Sequence, residues 1–217
     1  MEQEILTENQ KKIIEAVGNE PNLGGFYLSG GMALAACYLQ HRFSDDLDFF
    51  IFEEPDRAFL YGFAEKLKEL IKASDVRYEK IYDRSQFYFK IGKEELKIEF
   101  TRYPFKQLEG TREWKNIKVD SLRDAATNKL MAMLDRFDPK DFVDIYFLLQ
   151  KFSLDEIRKD AQKKFGIKIE DIFLGGELAK VKRIEALPRM IKKITIAELK
   201  DFFEKTAKEL EKDVLES

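Results

Sequence analysis

Two aspartates stand two residues apart in Asp46-Leu47-Asp48, at the head of DLDFFIF (46–52), whose aromatic and branched content predicts a β-strand. Strand alternation puts Asp46 and Asp48 on one face and Leu47, Phe49 and Ile51 on the other. Adjacent carboxylates repel each other. A hard divalent cation offsets that repulsion: Mg2+, or Mn2+ in its place, binds one or two carboxylates together with substrate phosphates. The alternative is a polar strand end with solvated acids, and the apolar continuation FFIF weighs against it. Fourteen residues separate Asp46 from Gly31, the end of Ser29-Gly30-Gly31. That triplet closes a short apolar strand (26–30) and opens directly into an Ala- and Leu-rich helix (32–40). Glycines there let the backbone approach a ligand closely. The free N–H groups and the dipole of the new helix favour an anion such as a phosphate chain.

A second group lies in the C-terminal half. Between residues 121 and 137 an apolar stripe runs Leu122, Ala125, Ala126, Leu130, Met133, Phe137, and Lys129 and Arg136 fall within it. A cation on a packed face is costly unless an anion is supplied. A bound triphosphate would supply one; alternatively Lys129 snorkels past the stripe edge to water. The following helix carries Lys140, Asp141 and Asp144. Asp141 also suits the first turn after an Asp138-Pro139 start, a role that Asp144 lacks.

The elements that must position these residues follow from periodicity. Helices are expected at 7–18 and 56–73, and three strands joined by short turns at 75–82, 85–92 and 95–102, antiparallel to their neighbours. From about residue 120 the period is helical, with Ser121 and Asp124 as a capping-box pair and Gly166, Gly175-Gly176 and Pro188 as breaks. The fold class is α+β: a mixed antiparallel sheet flanked by helices over 1–118, then a helical lobe over 119–217, which the family resemblance given below implies completes the active site.

Composition bounds the function. The chain has 217 residues, 38 Lys plus Arg against 41 Asp plus Glu, one Cys and one His. No global basic excess points to nucleic acid. A single cysteine, Cys37, excludes an internal disulfide framework and Cys-based zinc clusters, and His41 alone excludes His-rich metal sites. Residues 1–60 carry a net charge of −7 and residues 179–193 a net charge of +5. The basic run reads as a solvated helix face or as a contact for a polyanion. The acidic start, MEQEILTENQ, has no apolar signal-peptide core, and no run reaches transmembrane length, so a cytoplasmic protein without membrane contact is expected.

The segment FYLSGGMALAACYLQHRFSDDLDFF resembles the nucleotidyltransferases of the DNA-polymerase-β type, and within them the AbiEii/MenT toxin-like branch. The matching positions are Gly30, Gly31, Arg42, Ser44, Asp46 and Asp48. The string KLMAMLDRFDPKDFVDIYFLL resembles the second signature of that family, matched by Lys129, Arg136, Lys140, Asp141 and Asp144. The resemblance implies that Asp46 and Asp48 bind metal. Ser29, Gly30, Gly31, Arg42 and Ser44 would hold nucleotide phosphates together with Lys129, Arg136, Lys140 and Asp141. Lys129 and Asp144 would be catalytic, Asp144 or Asp141 completing the site or ordering Lys129 and Arg136. Such enzymes usually carry a third carboxylate on a neighbouring strand, and Glu99 in KIEF (97–100) is the candidate, as metal ligand or base; its alternative is an exposed strand face. The implied activity is transfer of a nucleoside monophosphate from an NTP to an acceptor hydroxyl, with release of pyrophosphate. A tRNA end or a protein would be the acceptor and an antitoxin the partner. Small-molecule transfer, an NTP-binding regulatory or partner-binding module without turnover, and a structural domain with fortuitous acids are the alternatives.

Overall fold

Strand pairing decides where the two aspartates stand. In the computed structural model, which describes residues 5–216 and side chains through Leu210, the chain divides into two units, Met1–Ser121 and Leu122–Ser217. The expected boundary after residue 118 falls inside a strand. Residues 1–4 of the acidic N-terminal stretch lie outside the described residues.

The first unit opens with α1 (Glu8–Gly18), followed by β1 (Tyr27–Ser29) and α2 (Gly30–Ala33). α2 continues as a π-helical stretch, Leu34–Leu39. β2 (Leu47–Ile51) and α3 (Arg57–Leu70) follow, and then β3 (Asp75–Ile81), β4 (Arg84–Ile91) and β5 (Glu94–Arg102) form the expected antiparallel meander. Two short strands were not foreseen, β6 (Arg112–Trp114) and β7 (Ile117–Val119). The seven strands run β3-β4-β5-β2-β1-β7-β6; β2 pairs with β5 and β1 with β7 in parallel, the other neighbours antiparallel.

Leu28, Leu47, Phe49, Phe87, Phe89, Ile98 and Phe100 are buried in one core with Ile13, Ile14 and Val17 of α1 and Leu60, Phe63 and Leu67 of α3. Phe100 stacks on Phe49 at 5.5 Å between ring centroids. With one set of alternating residues committed to this core, Asp48 and Glu99 are left to the other sheet face.

The second unit is helical: α4 (Leu122–Asp135), α5 (Pro139–Leu148), α6 (Leu154–Phe165), α7 (Asp171–Ala179) and α8 (Ile196–Glu216). Asp138 caps α5 with Pro139 in the first turn, as its sequence suggested, and Gly166 ends α6 at φ +71°. Gly175-Gly176, expected as a break, lies inside α7, where a Cβ on Gly175 would make only an ordinary 3.8 Å contact with the Ala207 carbonyl oxygen of α8. Asp124, expected as a partner for Ser121, directs its carboxylate to Lys164 at 2.6 Å. The basic run 179–193 is not one helix face: it spans the end of α7, a 3-10 turn (Lys180–Arg183) and irregular chain. Among the described residues no helix is long and apolar enough to cross a membrane.

Candidate active site

The site in the first unit starts from strand register. Ser29 at the end of β1 lies opposite Asp48 in antiparallel β2, and Asp48 lies beside Glu99 in parallel β5. Asp46 sits just ahead of β2 and, like Asp48, is half-buried. Gly30 turns the chain from β1 into α2 at φ +63°, and a Cβ placed on it would overlap the Oδ2 of Asp48. The position therefore excludes a side chain on two grounds: left-handed backbone and contact with the aspartate. A Cβ on Gly31 would lie 2.6 Å from Nη2 of Arg42 and 3.1 Å from Oγ of Ser44. Gly30 is thus the surface against which Asp48 rests, and Gly31 the surface for Arg42 and Ser44.

Arg42 is buried (2 % exposed) and donates through Nη1 to the Phe43 carbonyl at 2.9 Å. Its guanidinium braces the turn from beneath. Ser44 is buried beside it. The loop leading into β2 is held by a residue that the sequence did not single out: Gln10, whose amide donates to the carbonyls of Ser44 and Asp45, both at 3.0 Å. Gln10 is fixed in turn by a capping box with Thr7 at the start of α1. A second overlooked residue, Asp120, is fully buried and accepts the Ser29 hydroxyl at 2.8 Å. The Tyr38 hydroxyl donates to the Asp120 carbonyl at 2.5 Å, and burial pushes that phenol up to about 12. Ser29, expected beside nucleotide phosphates, therefore directs its hydroxyl to Asp120 and ties the glycine turn to the end of β7.

Glu99 is not on an exposed strand face; it is 4 % exposed. Its Oε1 accepts from Thr101 at 2.6 Å and its Oε2 from Gln86 at 2.7 Å, with Arg84 3.6 Å and Lys97 3.5 Å away. Lys97 also reaches Asp46 Oδ2 at 3.7 Å. Burial acts to lower the Lys97 ammonium, but Asp48, Asp46 and Glu99 together outweigh it and hold the group above the ordinary lysine range. Among the described residues no three His, Cys, Asp or Glu side chains converge as a metal cage. The donor set on offer is Asp46, just ahead of β2, and Asp48 within it, two hard, half-buried carboxylates with a glycine turn alongside. That set fits a cation such as Mg2+, which takes few protein oxygens and completes its shell with water and phosphate.

The second signature forms its own cluster in the helical unit. Lys129, 6 % exposed, neither snorkels to water nor waits for an external anion: Asp141 stands 2.7 Å and Asp144 2.9 Å from its Nζ, both carboxylates fully buried. Arg136 joins Asp141 at 3.0 Å with about half of its side chain exposed, and Lys140 is half-buried at the head of α5. Asp141 therefore orders both cations, and Asp144 shares Lys129. An open apolar cleft of about 210 Å³ elsewhere in this unit, lined by Met131, Leu134, Ile167 and Phe173 among others, holds none of these residues.

The model of one protein family, the nucleotidyl transferase AbiEii toxin of type IV toxin–antitoxin systems, matches residues 14–216. The chain belongs to the AbiEii nucleotidyltransferase family. It is a nucleotidyltransferase with an α+β core. A protein of Aquifex aeolicus (strain VF5), aq_aa25, whose function is uncharacterized, is 32 % identical over 165 residues, which are 74 % of this chain and 76 % of that protein. Two Helicobacter pylori crystal structures share the fold. JHP933 is 21 % identical with a TM-score of 0.59, the match covering 96 % of this chain and 91 % of that one. A protein named for a nucleotidyltransferase assignment is 20 % identical with a TM-score of 0.61, covering 97 % and 98 %.

Within this AbiEii nucleotidyltransferase the two signatures occupy different units, 26–50 in the sheet and 129–149 in the helices. The structure brings Gly30, Gly31, Arg42, Ser44, Asp46, Asp48 and Glu99 to the end of β1, the start of β2 and the middle of β5, and gathers Lys129, Arg136, Asp141 and Asp144 between α4 and α5. The residues that sequence reasoning missed are those that hold the others: Gln10, Lys97 and Asp120. For Lys97 a signal existed, since alternation already put it on the Glu99 face.

Proposed function

We propose that this nucleotidyltransferase transfers a nucleoside monophosphate from an NTP to an acceptor hydroxyl, using a divalent cation held by Asp46 and Asp48. The observation that carries the reading is the seating of Asp48 against Gly30: an acid and a phosphate-binding turn share one point of the sheet. The backbone N–H groups of Gly30 and Gly31 receive phosphate oxygens at the opening of α2, where the helix dipole favours negative charge. When bound, the cation polarises phosphoryl oxygen and lowers the pKa of the attacking hydroxyl. Arg42, Ser44 and Gln10 act behind the turn, holding it and the aspartate loop in fixed relation, so that little reorganisation is required as charge develops. On the helical unit, Arg136 is the cation of its cluster that a polyanion can reach. The acceptor is a tRNA end or a protein hydroxyl, and a cognate antitoxin restrains the activity; the family's toxin–antitoxin description supports the antitoxin alone.

The test is a transfer assay. Each of the four NTPs, labelled at the α-phosphate, is incubated with the protein and Mg2+ in the presence of tRNA, of total protein, or of neither. The expected result is label on one acceptor class with equimolar pyrophosphate. Label on neither class, with no pyrophosphate from any NTP, would contradict the proposal.

A further inference from the structure

The carboxylate cluster contains its own cation. Asp46 stands just ahead of β2, Asp48 lies beside Glu99 where β2 pairs with the middle of β5, and the Lys97 ammonium is 3.7 Å from Asp46 Oδ2 and 3.5 Å from Glu99 Oε2. Its side chain is 23 % exposed, so it is held in the cluster and not extended into water. Glu99 has little need of it. Both Glu99 oxygens already accept hydrogen bonds, from Thr101 and Gln86, and Arg84 stands 3.6 Å away. The Lys97 charge is therefore available to Asp46, with which it pairs, and to Asp48, which lies beside Glu99 on the same sheet face. A lysine there fulfils, in the apoprotein, the electrostatic task that a divalent ion fulfils when bound.

We propose that Lys97 is the resident counter-cation of the aspartate pair: it neutralises Asp46 and Asp48 before metal arrives and opposes the ion once it is there, so that it sets the divalent affinity of the site. The inference rests on the reading of Asp46 and Asp48 as the metal-holding pair. Lys97 stands beside Asp46 and would act through the aspartates, so it is a positioning residue. Two positive groups at one carboxylate pair interact strongly even with substantial screening, because the pair is half-buried. Removing the ammonium therefore tightens metal binding while destabilising the metal-free protein, a combination that simple loss of a structural contact does not produce.

The experiment measures Mn2+ binding without nucleotide, by titration calorimetry and by the electron-spin signal of free Mn2+. The proteins are wild type, Lys97→Met, Lys97→Gln, Lys97→Arg, Asp46→Ala/Asp48→Ala and Lys97→Met/Asp46→Ala/Asp48→Ala. Thermal unfolding of each is followed in EDTA and in saturating Mg2+. The expected result is about tenfold or greater tightening in Lys97→Met and Lys97→Gln, with Lys97→Arg within about threefold of wild type. The metal-induced rise in melting temperature is expected to be larger in Lys97→Met than in wild type. Equal or weaker Mn2+ affinity in both neutral variants overturns the Lys97 proposal and leaves the aspartate assignment standing, provided that the double alanine variant has lost the ion. An ion retained by the double variant, or no ion bound by any protein, overturns the aspartate assignment and this inference together. Binding by the neutral variants alone, lost in Lys97→Met/Asp46→Ala/Asp48→Ala, supports both; binding retained in that triple variant overturns both.

Discussion

Asp48→Asn is expected to lower nucleotidyl transfer by about three orders of magnitude while leaving the far-UV spectrum and the melting temperature close to those of wild type. The size follows from removing a charged group aimed at developing negative charge, for which losses of about 100- to 1,000-fold are typical, together with weakened coordination of the cation. Folding is spared because Asn keeps the shape of Asp48 against Gly30. The carboxylate is half-buried in a cluster that already holds Asp46 and Glu99, so its charge is not required for strand pairing. Steady-state assay at saturating Mg2+ and NTP, beside circular dichroism, checks it. Activity within tenfold of wild type would remove Asp48 from the chemistry.

The second large effect is on stability and belongs to the helical unit. Lys164 and Asp124 form an ion pair 2.6 Å long in which both side chains are fully buried, linking α6 to α4. Lys164→Met leaves Asp124 charged and enclosed with its principal partner gone. The expected loss is about 3–5 kcal/mol of unfolding free energy, the range for breaking a buried pair from one side. Lys164→Met/Asp124→Leu removes both charges and should recover most of that loss, since a well-packed apolar pair is often as stable as the ion pair that it replaces. Urea denaturation of the three proteins decides the matter. A double variant as unstable as the single one would show that α4 and α6 depend on the pair itself and not on the avoidance of a lone buried charge.

The contrast between these effects reflects what was legible in the sequence. The glycine turn and the Asp-x-Asp strand could be read because each is local: a period of two puts both acids on one side, and two glycines between an apolar strand and a helix suggest close approach. The hairpin strands of 75–102 and the Asp138-Pro139 helix start were legible for the same reason. What resisted reading depends on residues far apart in the chain. β6 and β7 are three residues each, too short to show alternation, and β7 earns its place through parallel pairing with β1 some ninety positions earlier. Gln10 reaches Ser44 and Asp45, and Ser29 reaches Asp120; no local pattern announces either.

The cations illustrate the same limit. Periodicity put Lys129 on an apolar stripe as a charge needing an anion, and only the resemblance suggested that Asp141 or Asp144 orders it; both stand beside it, one helix on. Asp124 looked like a capping residue and is half of a buried pair with Lys164, forty positions away. Glu99 looked like a ligand or a solvated acid, and its neighbours Gln86 and Thr101 make it a buried, hydrogen-bonded one. Spacing along one element predicts which face a charge lies on. Its partner belongs to whichever element the fold lays against that face.

The most direct measurement is calorimetric titration of each NTP into wild type and Asp46→Ala/Asp48→Ala, with and without Mg2+. The account predicts that at least one NTP binds wild type only when Mg2+ is present and that the double variant loses this binding. No NTP binding to wild type under any metal condition, or unchanged binding in the double variant, would contradict it.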